Sequence, residues 1–400
     1  MRILMIAEYC TLPFEGGNSR FTYLLDKINY EKNDVELITT VFRHGTKKNR
    51  DIKKIDLDAF KYKLTLLDEP GYKKNVSLKR IYSHKVLAKN LKNYLNTLDY
   101  KPDVIYCSVP SLDFAQVAVK FANKNNIRFI LDIQDLWPEA YKMVVRIPII
   151  NDIIFYPLTK KANYIYSHAD EIVAVSETYV NRALEVNNKV NKGLSVFLGT
   201  NLKYFDECKE KNKKDFKDGI IRIAYIGTLG HSYDIKSIID AIKILNDRGI
   251  SNIKFVIMGS GPLKKEFENY AKEQDVDCKF TGQLEYQKMV ALLCSCDIAV
   301  NPITHGAAQS IINKVGDYAA AGLPVLNTQE CVEYRDLIDN YRCGLNCENG
   351  NIQDIADKLE KLIEDEKLRK NMGEGNRKLA EEKFDREKTY KQIIELIERR

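Results

Sequence analysis

Lys314 and Asp317 stand one helical turn apart in the run THGAAQSIINKVGDYAAAGLPV, residues 304–325. The pattern predicts a loop of small residues feeding a helix that begins near Ser310 and ends at Gly322, where a strand starts. A helix amino end offers unpaired N–H groups and a partial positive charge. Ser310 and Ile311 would therefore face an anion such as a diphosphate. Lys314 would add a point charge one turn in, and the Asp317 carboxylate would accept hydrogen bonds from a ribose diol. The plainer alternative is a capped helix with an i,i+3 ion pair on its surface, worth a few tenths of a kcal/mol. Loop, helix and Gly-Leu-Pro exit together favour the anion site.

Three further turns could carry chemistry. Gly227-Thr228-Leu229-Gly230-His231, Gly259-Ser260-Gly261-Pro262 and Thr281-Gly282-Gln283-Leu284 each close an apolar run. Recurring strand-terminal glycine turns resemble the floor of a nucleotide site, although any one of them could be a simple helix entry. Near the start, Glu15-Gly16-Gly17-Asn18-Ser19-Arg20 sits between the first strand and the first helix. Adjacent glycines there permit close backbone approach to a ligand, but the G-x-G-x-x-G spacing of a dinucleotide site is absent. The run Arg128–Ile133 leads into Gln134-Asp135-Leu136-Trp137-Pro138-Glu139, a polar and acidic strand end of the kind that holds chemistry in α/β proteins. Read structurally, Asp135 would cap a helix and Trp137 would fill core. Cys294-x-Cys296 and Cys343-x3-Cys347 lack the paired spacing of a zinc site, so no metal centre is expected.

Such residues need a scaffold. Apolar runs at 2–7, 35–40, 103–107, 128–133 and 171–175 read as buried strands, with amphipathic stretches at 21–29, 78–95 and 113–123 between them. This alternation predicts a parallel sheet covered by helices on both faces. Residues 207–219, ECKEKNKKDFKDG, read as an exposed linker. The alternation then resumes, with strands at 221–226, 253–258, 277–280, 298–301 and 324–327, and helices at 234–248, 262–273, 286–294 and 311–321. Two successive doubly wound α/β domains follow, 1–205 and 206–385, facing a central cleft. Residues 386–400 read as one terminal helix.

Composition narrows the class. No apolar run in the 400 residues approaches the roughly 20 that a membrane span needs, and the start lacks the marks of a signal peptide. Nine scattered cysteines argue for a reducing compartment, hence a cytoplasmic protein. The net charge of +6 divides unevenly: residues 1–205 hold 31 Lys and Arg against 22 Asp and Glu, and residues 206–400 hold 31 against 34. A uniform nucleic-acid surface is thereby disfavoured; a basic first half facing phospholipid head groups or a lipid-linked phosphate and a merely solvated Lys-rich surface are the two readings left open. Met143–Leu158 is apolar enough to touch a bilayer, or to be a core helix interrupted by Pro148.

In this order and spacing the motifs resemble the retaining family 4 glycosyltransferases of the GT-B fold, in the branch that builds bacterial capsules and O-antigens. The resemblance covers nearly the whole chain. It rests on Gly16-Gly17, Asp135–Glu139, Ala169–Ser176, Leu198–Asn201 through Phe205, Tyr225–Leu229 and Gly259–Pro262. Asn313–Tyr318 with Ala319–Pro324 is the strongest match. It implies two Rossmann-like domains, the second binding a nucleotide-sugar donor, with a UDP-sugar favoured, and a final helix at 386–400 that crosses back to pack on the first domain. The base would lie near Gly282, Gln283 and Leu284, the ribose on Asp317, and the phosphates over Ser310, Ile311 and Lys314. Gly227, Thr228, Gly259 and Gln309 would complete the donor site, and Gly16 and Gly17 would approach its phosphate or sugar. The first domain would bind the acceptor, a hydroxyl of a lipid-linked glycan or oligosaccharide, with Asn18, Gln134 and Glu139 touching acceptor or sugar. Lys314 and His231 would stabilise the leaving diphosphate while Asp135 orients a substrate, without metal or cofactor and without nucleic acid. The implied enzyme, a hexosyl- or N-acetylhexosaminyltransferase, would work on the inner face of the cell membrane.

Three departures from the family pattern stand out. Gln309 and Asp317 stand where two glutamates usually occur, Gln134 where a histidine usually does, and His231 with Lys236 where an Arg and Lys pair does. A nucleotide-sugar epimerase of the same architecture and a non-catalytic nucleotide-sugar-binding protein are the competing readings.

Overall fold

The computed structural model of the chain describes residues 1–15, 19–144, 148–211, 218–307 and 310–399. It divides into two compact units, Met1–Val196 with Tyr390–Arg400, and Phe197–Thr389.

The first unit is built on β1 (Arg2–Ile6), β2 (Asp34–Thr40), a hairpin of β3 (Phe42–Arg43) and β4 (Lys48–Asn49), β5 (Lys63–Leu67), β6 (Val104–Val109), β7 (Arg128–Ile133), β8 (Glu171–Ala174) and β9 (Leu194–Ser195). Seven of these form one sheet in the order β5-β2-β1-β6-β7-β8-β9, and every pairing in it is parallel. Continuous apolar strands such as β6, buried at all its residues, are what a sheet with both faces covered requires. The two-residue β9 and the hairpin have no counterpart among the strands expected from sequence, because two residues carry no apolar pattern; β5, KLTLL, is a further strand that the sequence reading passed over.

The second unit carries β10 (Ile221–Ile226), β11 (Ile253–Met258), β12 (Cys278–Gly282), β13 (Ile298–Asn301), β14 (Val325–Asn327) and β15 (Gly344–Asn346), again parallel, in the order β12-β11-β10-β13-β14-β15. Alternate residues of β10 feed opposite faces: Ala224 and Ile226 enter one core, Ile223 and Tyr225 the other. Each sheet reverses its strand order beside its first strand, at β1/β6 and at β10/β13. The loops after those strands are where an open parallel sheet receives ligands.

Three expectations need correction. The unit boundary lies at Val196/Phe197 rather than 205/206. The helix Leu202–Lys211 buries Leu202, Phe205 and Cys208, spaced three apart, in the core of the second unit, so the first part of the supposed linker is helix. Residues 212–217 lie outside the described residues. The terminal helix is two helices, Arg386–Thr389 and Lys391–Glu398. They part at Tyr390, which is fully buried in the first unit's core beside Ile393 and Ile397, whereas Arg386 N–H donates to the Thr200 carbonyl in the second unit. In the apolar stretch, the helix Pro148–His168 follows residues 145–147, which lie outside the described residues. Ile153, Ile154 and Tyr156 on that helix are 73%, 58% and 64% exposed. All nine cysteines are free thiols.

Candidate functional site

In the second unit, the helix containing Lys314 starts later than the spacing suggests. It runs Lys314–Ala321 and ends on Gly322, in the left-handed conformation expected of a glycine cap. Ser310 and Ile311 therefore precede the helix and do not head it. In a helix begun at Ser310 its carbonyl would serve Lys314, but Gln329 Nε2 donates to that carbonyl at 2.7 Å. Ile311 is meanwhile drawn into the apolar core. Gln309 lies outside the described residues.

Lys314 points its ammonium under the glycine turn after β10. Nζ sits 4.0 Å from the centroid of Tyr225 and 4.1 Å from that of Tyr233. A Cβ added at Gly227 would stand 3.7 Å from Nζ. The side chain is 9% exposed, and Nζ has no hydrogen-bond partner among the described residues. Burial pushes its pKa well below the ordinary lysine value. Facing rings supply a favourable quadrupole, but no anion. Asp317 does not pair with it. Asp317 Oδ1 accepts from Thr200 Oγ1 at 3.1 Å and from Tyr286 Oη at 2.9 Å, and burial raises its carboxyl pKa against those bonds.

The glycine turns lock together. Gly227 N–H donates to the Met258 carbonyl and Leu229 N–H to the Ser260 carbonyl, both at 3.0 Å. A Cβ on Gly259 would fall 1.8 Å from the Gly227 carbonyl oxygen, so glycine there is a packing requirement. Gly227 and Thr228 are exposed above Lys314, and Gly282 takes a positive φ of 73°. Gln283 is exposed, and Leu284 packs on the core. His231 is exposed at the end of the first turn, its carbonyl accepting from Thr304 Oγ1. Lys236 is committed to Glu266 at 2.7 Å.

In the first unit the structure gathers some expected residues and disperses others. Asp135 lines a cavity of about 420 Å³ at the β1/β6 switch point, with Tyr9, His44, Arg80 and Trp137. Its carboxylate accepts from Leu136 N–H at 3.0 Å and Trp137 Nε1 at 3.2 Å, and burial raises its pKa. Gln134 is not on that wall. Its amide donates to Asp132 Oδ2 at 2.8 Å, because Asp132 anchors the buried Arg20. Glu139 is likewise engaged elsewhere, accepting from Arg182 Nε at 2.6 Å. Gly16, Gly17 and Asn18 lie outside the described residues.

Tyr9 and Arg80 are the residues that sequence reasoning missed. Tyr9 Oη accepts from Arg80 at 2.9 Å, and the guanidinium stacks 4.6 Å from Trp137. Tyr9 follows the first strand, so the rule that singled out Asp135 after β7 applied equally to it. Arg80 belongs to the helix Leu78–Asn96, where no local signal marks it.

Residues 206–379 match the family model of glycosyl transferases group 1. The capsular polysaccharide biosynthesis glycosyltransferase CapM of Staphylococcus aureus is 27% identical over 241 residues, 56% of this chain and 60% of that protein. The chain spans about 60% of the length of the curated relatives it matches. Among solved structures, sucrose-phosphate synthase from Thermosynechococcus elongatus superposes with a TM-score of 0.72 at 15% identity, covering 99% of this chain and 98% of that one. Anabaena HepE in complex with UDP gives 0.68 at 14% identity, covering 99% of each. The shared fold is GT-B.

Proposed function

From the premise that residues 206–379 form a glycosyl transferases group 1 domain, we propose that this chain moves a sugar from a nucleoside diphosphate donor to a hydroxyl of an acceptor glycan. The observation that carries the reading is the Lys314 ammonium, shut from water between two tyrosines with no anion among the described residues. Burying such a group unpaired is unfavourable, and a bound diphosphate would relieve it. The donor site would comprise the turn Gly227–Gly230, Lys314 and the amino end of its helix, with Asp317 toward the ribose.

As the anomeric C–O bond to the diphosphate breaks, negative charge grows on the leaving oxygen. Lys314 and the helix N–H groups would stabilise it, with His231 as a second donor; such placed groups contribute about 3–4 kcal/mol each. The acceptor oxygen would form its bond to the same face of the sugar. Its proton would pass to the phosphate, which gives retention without a metal or a protein nucleophile. Asp135 would orient the acceptor in the first unit.

Likeness to HepE in complex with UDP supports uridine diphosphate as the nucleotide, and likeness to CapM supports capsular polysaccharide as the product class. Exposed Ile153, Ile154 and Tyr156 support contact with a membrane surface carrying a lipid-linked acceptor. No helix among the described residues is long and apolar enough to cross a membrane.

Calorimetric titration with UDP, followed by product analysis with UDP-sugars and a lipid-linked acceptor, tests the reading. The expected result is UDP binding and glycan extension, both lost in Lys314→Met. Unchanged UDP affinity in that variant would remove the donor site from Lys314. An isomerised sugar nucleotide formed without acceptor would make the protein an epimerase.

A further inference from the structure

The cavity in the first unit has a composition that the donor reading does not use. Its carboxylates are committed: Glu15 pairs with Arg50 at 2.8 Å and Arg43 at 3.2 Å, Glu8 with His84 at 3.1 Å and with Ser111, and Asp135 with Trp137. Two cations remain without a carboxylate among the described residues: Arg80, which lines the cavity, and Lys47, which lies behind the lining residue His44. Arg80 donates to Tyr9 and the Asn75 carbonyl, both uncharged groups, and lies over the rings of Trp137 and Tyr72. Lys47 rests its ammonium 3.1 Å from His44 Nδ1, and 5.0 Å from the centroid of the same Tyr72.

The two charges feel each other. Burial and the neighbouring Arg80 guanidinium push the Lys47 pKa down to about 8. Burial, then Lys47 and Arg80, push His44 down to about 4, leaving a neutral ring on the cavity wall. Lys47 also holds its place against a backbone preference. It has a φ of +57° in the β3–β4 turn, a conformation that suits glycine or asparagine and strains a residue with a Cβ. A strained lysine aimed at a second unpaired cation makes sense where an anion comes between them.

We propose that this cavity binds an anionic group, a phosphate or a carboxylate, carried on a sugar whose ring lies against Trp137 and Tyr9. The inference rests on the first unit being the acceptor side of the proposed reaction, and it names the acceptor class: an acidic or phosphorylated saccharide. Arg80 would meet the anion with the N–H groups not used on Tyr9 and Asn75, and Lys47 would complete its neutralisation.

Trp137 is the chain's single tryptophan, so its fluorescence reports on this cavity. The full chain is titrated with glucose 6-phosphate, glucuronic acid and glucose, while UDP binding is followed separately by calorimetry. At least one anionic sugar is expected to saturate the Trp137 signal at a concentration tenfold or more below glucose. The phosphate and carboxylate arms distinguish the two sources. Lys47→Gly removes the cation and relieves the backbone, so it should weaken the anionic sugar at least fivefold with an unchanged or higher Tm. Arg80→Lys should weaken it further while keeping a charge. Glucose binding as tightly as both anionic sugars, a flat Trp137 signal throughout, or full affinity in Lys47→Gly would overturn the proposal. Loss of UDP binding alone would instead strike the donor reading and leave this one standing.

Discussion

Arg20 and Asp132 meet at 2.6 Å with both side chains wholly excluded from water. Burial is the largest single effect and works against the guanidinium, yet the Asp132 charge together with Tyr390 and Tyr106 raises the Arg20 pKa. Tyr390 adds a hydrogen bond to Arg20 Nε at 3.4 Å, and Gln134 takes the other carboxylate oxygen. Removing one partner strands a buried charge. Arg20→Met should therefore cost about 3–5 kcal/mol in chemical denaturation. Arg20→Met with Asp132→Leu should recover most of that loss. A double variant no more stable than the single one would mean that the pair holds the fold by more than mutual neutralisation.

Lys314 gives a pH signature of defined sign. Its native pKa lies well below the unfolded value near 10.5, so the unfolded chain binds more protons over that interval. Its contribution to stability must rise with pH up to about 10.5. Lys314→Met should be more stable than the parent at pH 7, on the order of 1–4 kcal/mol. That advantage should shrink toward pH 10.5. Added UDP should raise the parent's Tm and leave the variant's unmoved, and calorimetry in buffers of different ionisation heat, at a pH above the native Lys314 pKa, should record proton uptake on UDP binding. A gap independent of pH would place the Lys314 ammonium in water.

Asp317 separates support from recognition. Oδ1 accepts from both Thr200 and Tyr286, and an amide oxygen could keep both bonds. Asp317→Asn should thus melt within a degree or two of the parent while binding UDP at least tenfold more weakly, because an uncharged amide grips a ribose diol less firmly. Asp317→Ala orphans the two hydroxyls and should cost about 1–3 kcal/mol as well. Equal UDP affinity in Asp317→Asn would confine this residue to holding Tyr286 and Thr200 in place.

What could be read from the chain alone follows the range of the forces involved. The bounds expected for β7, β10, β11 and β13 coincide with those observed, since a buried strand is a local apolar run ended by polar or glycine residues. The helix exit at Gly322 is equally local. Its entry is not: Gln329, far beyond the expected first turn, takes the Ser310 carbonyl. Gln134 misleads for the same reason, since its partner Asp132 is occupied by Arg20 from another element. Arg80 escapes notice because only the folded chain brings it over Trp137. The motif named Lys314, but its confinement between Tyr225 and Tyr233 is a tertiary fact.

Gly259 carries the most demanding constraint in the second unit. Its α-carbon faces the Gly227 carbonyl so closely that a methyl group would sit at 1.8 Å from the oxygen, inside any contact distance, and the obstacle is backbone that cannot rotate away. Gly259→Ala must separate the two turns. The hydrogen bonds from Gly227 to Met258 and from Leu229 to Ser260 would stretch together. Overpacking of this kind costs about 1–3 kcal/mol, and more where backbone must move. Since Gly227 roofs the Lys314 ammonium, the displacement should also open that pocket to water and let the lysine pKa climb toward its ordinary value. The expected outcome is a lower Tm, UDP binding weakened at least tenfold, and loss of the proton uptake seen with the parent. Gly230→Ala, whose added methyl would touch only the Thr228 side chain at 3.7 Å, should leave the Tm near the parent and serves as the control for packing. If Gly259→Ala bound UDP as the parent does, the packing of the two turns would have no part in shaping the donor pocket.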